Sequence, residues 1–268
     1  MVRAPLRSIV PLEYTHRPVT VTDKTAVVIG GTSGIGRAIA LGFAEEGADV
    51  VAASRTESSV AATAEEIRER GGDTIEATCD VTDSASIAAL RDAVVDAFGG
   101  VDILVNSPSS IARTPVAEIT DEDWETVMSV QLRGPVEATK LFAERMESGA
   151  VINISSASAE AALPNLAVYS TAKGGIDAFT RVAAEEYGPE IRVNAIRPGF
   201  VLTEQTDGVY TDGDPRYETI KSRTTGGRLA QPEEIAGAAV YLASDAASYT
   251  TGEILTVDDG FLAATFEE

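Results

Sequence analysis

Residues 25–36 read Thr25-Ala26-Val27-Val28-Ile29-Gly30-Gly31-Thr32-Ser33-Gly34-Ile35-Gly36. The first five, apolar or β-branched, predict a short buried strand. Glycines follow at G-x-x-x-G-x-G spacing (Gly30, Gly34, Gly36), and an Ala-rich helix is expected from there to about residue 46. A strand running straight into glycines and then a helix gives an otherwise weak motif its meaning. The glycines permit a tight turn and close approach of a pyrophosphate to the backbone. The helix start offers free N–H groups and a partial positive charge. Thr32, Ser33 and Ile35 stand between the glycines and are candidate contacts with them. The spacing departs from the common G-x-G-x-x-G dinucleotide fingerprint.

Outward from this loop, strand-like and helix-like stretches alternate. Strands are expected at 49–53, 74–79, 102–106, 150–155, 192–196 and 253–257. Helices are expected at 58–70, 84–98, from 121 onward, 168–187 and 232–243. In the 84–98 helix Ile87, Leu90, Val94 and Phe98 share one face. Apolar strands separated by helices predict a parallel sheet covered on both faces. The expected fold is therefore an α/β, Rossmann-type, doubly wound sheet of seven parallel strands in three layers. No linker or repeat interrupts the series, so one domain is expected over 21–268 behind an N-terminal arm, 1–20. Residues 204–227, rich in Thr, Asp and Gly, break the rhythm and suggest a substrate lid.

Composition narrows the chemistry by subtraction. The formal net charge is −21, which argues against a nucleic-acid partner, since phosphate binding needs clustered cations. Lys24, Lys140, Lys173 and Lys221 are the only lysines. An acid-rich, lysine-poor surface resembles those of salt-loving organisms, where counterions screen self-repulsion. Cys79 and His16 are each the sole residue of their type. An internal disulfide, a His/Cys metal site and a Ser-His-Asp triad are thereby disfavoured. No apolar run approaches the ~18 residues of a membrane span. Pro5 and Pro11 interrupt any signal-peptide core. A cytoplasmic protein, without membrane attachment, is expected.

Acid–base work near neutral pH must then use another group. Tyr169 and Lys173 stand at i and i+4 on one helix face. Tyrosine alone is a poor base, with a reference pKa of about 10. A neighbouring ammonium favours the phenolate, and a depression of about 2 units would be worth roughly 2.7 kcal/mol. Ser156 ends the expected fifth strand, where ligands of open parallel sheets bind, and its hydroxyl can polarise a carbonyl oxygen. At the end of the second strand, Ser54-Arg55 replaces the acid that would bond a ribose 2′-hydroxyl. A hydroxyl and a cation suit a 2′-phosphate, which favours NADP over NAD.

In order, these motifs resemble the short-chain dehydrogenase/reductase family over about residues 21–262. The resemblance also rests on Asp80-Val81, Asn106, Pro198-Gly199 with Thr203, and the ending Val257-Asp258-Asp259-Gly260. It implies an NAD(P)-dependent oxidoreductase acting on CH–OH groups, with Ser156, Tyr169 and Lys173 as catalytic residues. Asp80 and Val81 would then hold the adenine. Asn106 would also belong to the cofactor site, and Pro198, Gly199, Val201 and Thr203 would hold the nicotinamide end. It implies a homotetramer as well. Gln131 aligns with an asparagine of the family's proton relay. Further departures are Ile29 for a threonine, and Asn106-Ser107-Pro108-Ser109 for Asn-Asn-Ala-Gly. The segment 203–234 resembles gluconate 5-dehydrogenase-like members, implying a sugar, sugar acid or related hydroxy/keto acid, with Arg216 or Arg223 meeting a carboxylate. A 3-oxoacyl-thioester reductase and a cofactor-binding regulatory or scaffold protein with a decayed site are the alternatives.

Overall fold

The computed structural model describes residues 17–264 apart from 205, 207, 209 and 212. Most of the expected arm and parts of the expected lid lie outside the described residues. Six strands form one parallel sheet: β1 (Thr25–Ile29), β2 (Asp49–Ala53), β3 (Ile103–Asn106), β4 (Gly149–Ile154), β5 (Ile191–Pro198) and β6 (Ile254–Val257). Their spatial order is β2-β1-β3-β4-β5-β6. The chain winds one way from β1 to β2 and the other way from β3 onward. A crevice therefore opens above the carboxyl ends of β1 and β3, where such sheets place ligands.

The helices cover both faces. They are α1 (Gly34–Glu45), α2 (Glu57–Glu69), α3 (Ser84–Phe98), α4 (Asp121–Met128), α5 (Gly134–Ala143), α6 (Ala167–Tyr187), α7 (Pro215–Ser222) and α8 (Glu233–Ala243). Strand periodicity sorts the core. Ala26 and Val28 of β1 face the layer where α1 packs on α8 around Ile39, Phe43 and Ile235. Val27 and Ile29 face the layer of α3 and α5, with Ile87, Leu90 and Phe142. Thr120 caps α4 through a reciprocal pair of bonds with Asp123.

Three expectations need correction. The sheet has six strands rather than seven. Residues 74–79 run beside β2 but pair with it only at Thr78, opposite Ser54. The Cys79 N–H reaches the Ser54 carbonyl at 2.9 Å, and the Asp73 carbonyl accepts from the Val50 N–H at 3.0 Å. Glu76 and Thr78 lie exposed at this edge. With only one face to bury, the segment is held at its ends and no ladder forms between them. The stretch 204–227 is also not irregular throughout. Asp214 caps α7 by accepting from the Arg216 and Tyr217 N–H groups, and Pro215 begins the helix, a pairing visible in the sequence. Finally, the helix expected from 121 is broken by a π turn at Ser129–Arg133, which continues into α5.

Candidate active site

Every candidate site residue of the sequence reading except Asn106 and Arg223 lines one cleft of about 600 Å³ at the sheet's switch point. Its size is that of a small-molecule site. Gly30 sits at φ +81°, and a Cβ there would lie 2.3 Å from the Ser107 carbonyl oxygen. A Cβ on Gly36 would lie 2.1 Å from the Gly30 carbonyl oxygen. These glycines are thus required by close packing of β1, α1 and the loop after β3. Gly34, at φ +49°, faces the Thr203 side chain across the cleft floor. No acid occupies the first turn of α1, and the Ser33 hydroxyl does not cap it. A cradle with an open helix N-terminus suits the pyrophosphate of a dinucleotide.

The far end of the cleft is walled by Ser54, Arg55, Thr56 and Ser59. The Ser54 Oγ is buried with no partner among the described residues. Asp80 stands nearby with its carboxyl below the usual range, chiefly because the Thr82 hydroxyl and N–H both donate to it, at 2.7 and 2.9 Å; Arg55 adds a smaller pull. Val81 is buried beside it. A nicotinamide dinucleotide therefore fits the residues present. The glycine loop would hold its phosphates, and Ser54, Arg55, Asp80 and Val81 its adenosine. Pro198, Gly199, Val201 and Thr203 would hold the nicotinamide end.

Tyr169 and Lys173 project from α6 into the middle of the cleft. The Lys173 Nζ lies 5.6 Å from the Tyr169 ring centroid and donates to the Ile154 carbonyl oxygen at 2.6 Å. Ser156 follows β4, and its Oγ accepts from the Ser158 N–H at 3.1 Å. The Ser156 side chain stands close enough to the Tyr169 hydroxyl to favour its ionised form. The electrostatics differ from the sequence expectation. Burial raises the Tyr169 pKa, against a lowering pull from Ser156 and a smaller one from Arg113. Burial also pushes Lys173 down to about 7, with Asp177 opposing it. Protein walls remove both groups from water, and that outweighs the pull of the neighbours that favour their charged forms.

Asn106 is built into the core instead. Its amide donates to Asn153 Oδ1 at 2.9 Å and Thr139 Oγ1 at 3.1 Å. The Asn153 amide in turn donates to Thr180 Oγ1 at 3.0 Å. The two asparagines are register partners on β3 and β4, so the network ties these strands to α5 and α6. Gln131, on the π turn, donates to the Ser110 carbonyl at 2.8 Å. One departure from the family pattern thus anchors the loop that carries another, Pro108-Ser109. The Gln131 Oε1 is buried in the cleft wall without a partner among the described residues.

Of the two lid arginines, Arg216 lines the cleft. Arg223 instead stacks on Phe261, its guanidinium 4.6 Å from the ring centroid. Sequence reasoning missed Arg113, which lines the cleft and acts on Tyr169, and Tyr210, which packs edge-on against Phe200 at the rim. Neither lies in a motif. Next to Arg113, the Thr114 N–H bonds the Asn165 carbonyl at 3.0 Å, which ties this loop to the start of α6.

A family model described as enoyl-(acyl carrier protein) reductase matches residues 30–262. D-threitol dehydrogenase of Mycolicibacterium smegmatis is 38% identical over 242 residues, covering 89% of this chain and 92% of that protein. A 3-oxoacyl-[acyl-carrier-protein] reductase of Thermotoga maritima is 32% identical, covering 89% and 98%. A crystal structure from Beutenbergia cavernae, provisionally assigned as an NAD(P)-dependent gluconate 5-dehydrogenase with NADP bound at low occupancy, superposes with a TM-score of 0.86. It is 39% identical over 92% of this chain and 99% of that one. With the glycine cradle, the Ser156–Tyr169 contact and Lys173 in one cleft, the chain belongs to the short-chain dehydrogenase/reductase family of NAD(P)-dependent oxidoreductases.

Proposed function

We propose that the chain interconverts a secondary alcohol and a ketone on a small polyol-derived acid, using NADP. The observation that carries this reading is the convergence of Ser156, Tyr169 and Lys173 on one cleft, with Lys173 Nζ 5.6 Å from the Tyr169 ring centroid. A substrate oxygen placed against both hydroxyls is held by Ser156 and exchanges its proton with Tyr169. The cofactor, when bound, supplies the hydride acceptor at its nicotinamide. In the oxidative direction Tyr169 takes the hydroxyl proton, and the buried Lys173 ammonium favours the phenolate. Gln131, with its unpaired Oε1, supports passage of that proton to water. Reduction runs the same steps backward. Residues 204–227, with α7 and Tyr210, form the lid that closes over the substrate, and the chain works as a homotetramer in the cytoplasm.

Two features support an acidic substrate. Arg113 and Arg216 both line the cleft, and neither carries an ion pair among the described residues. In a chain of net charge −21, two uncommitted cations beside the reacting centre suit an anion. A panel of polyols, aldonates and β-keto esters, each assayed with both cofactors, tests the assignment. Arg216→Ala should raise KM for aldonates about 10- to 100-fold, the loss of a charge-assisted bond of about 1.5–3 kcal/mol. KM for neutral polyols should stay within about 2-fold. Equal losses on both substrate types would remove the carboxylate from the reading, and a preference for β-keto esters would favour the thioester reductase.

NADP preference rests on Arg55 and the unpaired Ser54 hydroxyl at the cleft's far end. Arg55→Ala should reduce kcat/KM for NADP by about 10- to 100-fold while leaving that for NAD within about 3-fold. The ratio of the two constants in both proteins is the measurement, and an unchanged ratio would take Arg55 out of this role.

A further inference from the structure

Three segments that carry the site are joined by charges the reaction does not use. Asp177 lies on α6 one turn beyond Lys173, with its side chain 7% exposed. Its Oδ2 accepts from Arg197 Nη2 at 2.6 Å. Arg197 is on β5, immediately before Pro198-Gly199, and is 12% exposed. Its other terminal nitrogen pairs with Glu160, which ends the short turn Ala157–Ala159 after Ser156. From Lys173 outward the charges alternate: plus, minus, plus, minus.

Stability alone does not account for this arrangement. Buried ion pairs contribute little beyond what well-packed apolar residues of similar volume would give. Here Asp177 Oδ1 and Arg197 Nε are also buried without partners among the described residues. What the chain of charges does is fasten the Ser156 turn and the Pro198 turn to the helix that holds Tyr169 and Lys173.

We propose that Asp177 and Arg197 are positioning residues of the proton-transfer site. The Asp177 carboxylate keeps Lys173 charged in a dry setting, and Arg197 sets how strongly it does so while holding the Ser156 turn through Glu160. The proposal rests on the Tyr169–Lys173 reading of the site. Burial drives Lys173 down to about 7, and Asp177 is the group that works against it. The surrounding elements supply few rivals. Tyr169 shares α6, β4 presents the uncharged Ile154 carbonyl, and the π turn presents the uncharged Gln131. Glu160 and Arg197 are engaged with each other, and Arg113 and Tyr210 act on Tyr169.

The test titrates the Lys173 side chain by NMR in the full-length, cofactor-free protein. The chain has four lysines, so loss of a signal in Lys173→Met assigns it. Asp177→Asn should move the Lys173 midpoint downward by about 1 unit or more. Arg197→Gln keeps the carboxylate and frees it, so the midpoint should move upward. Opposite signs from two substitutions in one ion pair are what a merely structural role would not produce. The alkaline limb of the kcat–pH profile should follow each midpoint, and Asp177→Glu should restore both. If Asp177→Asn does not fold, the upward shift in Arg197→Gln stands alone as the deciding result. An unmoved midpoint, shifts of the same sign, or a kcat profile that ignores them overturns the proposal. Failure of the underlying Tyr169–Lys173 reading would show separately, as an active Tyr169→Phe protein.

Discussion

Tyr169→Phe should lower kcat about 10²- to 10⁴-fold, the range lost with a general acid–base group, while NADP(H) still binds. The rival base makes this substitution informative. With its pKa near 7, Lys173 is itself suited on paper to exchange protons at neutral pH. Its geometry opposes that role, because Nζ is held 2.6 Å from the Ile154 carbonyl. The Tyr169 hydroxyl, by contrast, shares the cleft with Ser156, where a substrate oxygen would sit. Phenylalanine keeps the ring, the packing and Lys173, and removes only the hydroxyl. Cys79 offers no substitute, since burial pushes its thiol up to about 11. The check is single-turnover hydride transfer alongside NADPH fluorescence titration. Near-normal kcat in the variant would transfer the proton to Lys173 and refute the mechanism. A variant that also fails to bind NADPH would show that Tyr169 is part of the cofactor cradle rather than the proton carrier.

The central features of this site were legible because each follows from local spacing. A Cβ at Gly30 or Gly36 would fall within 2.3 Å of a backbone oxygen, and Gly34 takes a positive φ of +49° at the helix start. Tyr169 and Lys173 share a helix face whatever surrounds them. What escaped depends on burial or on contacts distant in sequence. The direction of the Tyr169 shift is set by walls drawn from several elements, which no spacing rule contains. Arg113 precedes Thr114, whose N–H bonds the Asn165 carbonyl two residues before α6, a contact distant in sequence. Asn106 matched a family position, but its amide is turned toward Asn153 and Thr139, a pairing known only once β3 and β4 are in register. Residues 74–79 have a strand's composition and fail as a strand because an edge gives them one face to bury rather than two.

Gly30→Ala and Gly71→Ala form a matched pair that separates backbone strain from steric overlap. Both glycines adopt left-handed backbone, at φ +81° and +90°. For an L-residue that conformation costs about 1–2 kcal/mol. A Cβ added at Gly71 would meet nothing within 4 Å, so strain is the whole penalty there. At Gly30 the added carbon would lie 2.3 Å from the Ser107 oxygen and 2.8 Å from the Pro108 nitrogen. Those are backbone atoms, and neither can rotate aside. The Gly30 N–H also bonds the Ala53 carbonyl at 2.8 Å, and the Ser107 N–H bonds the Ile29 carbonyl at 2.9 Å, so any retreat weakens the sheet on both sides. Overpacking adds about 1–3 kcal/mol, bringing Gly30→Ala to about 2–5 kcal/mol. Tm should fall by roughly 2–8 °C for Gly71→Ala and roughly 4–20 °C for Gly30→Ala. Only the second should weaken NADPH binding, since it displaces the turn that presents α1 to the pyrophosphate. Equal losses of Tm in the two variants would mean that the approach of β1 to the Ser107 turn is loose. Unchanged NADPH affinity in Gly30→Ala would move the pyrophosphate away from this loop.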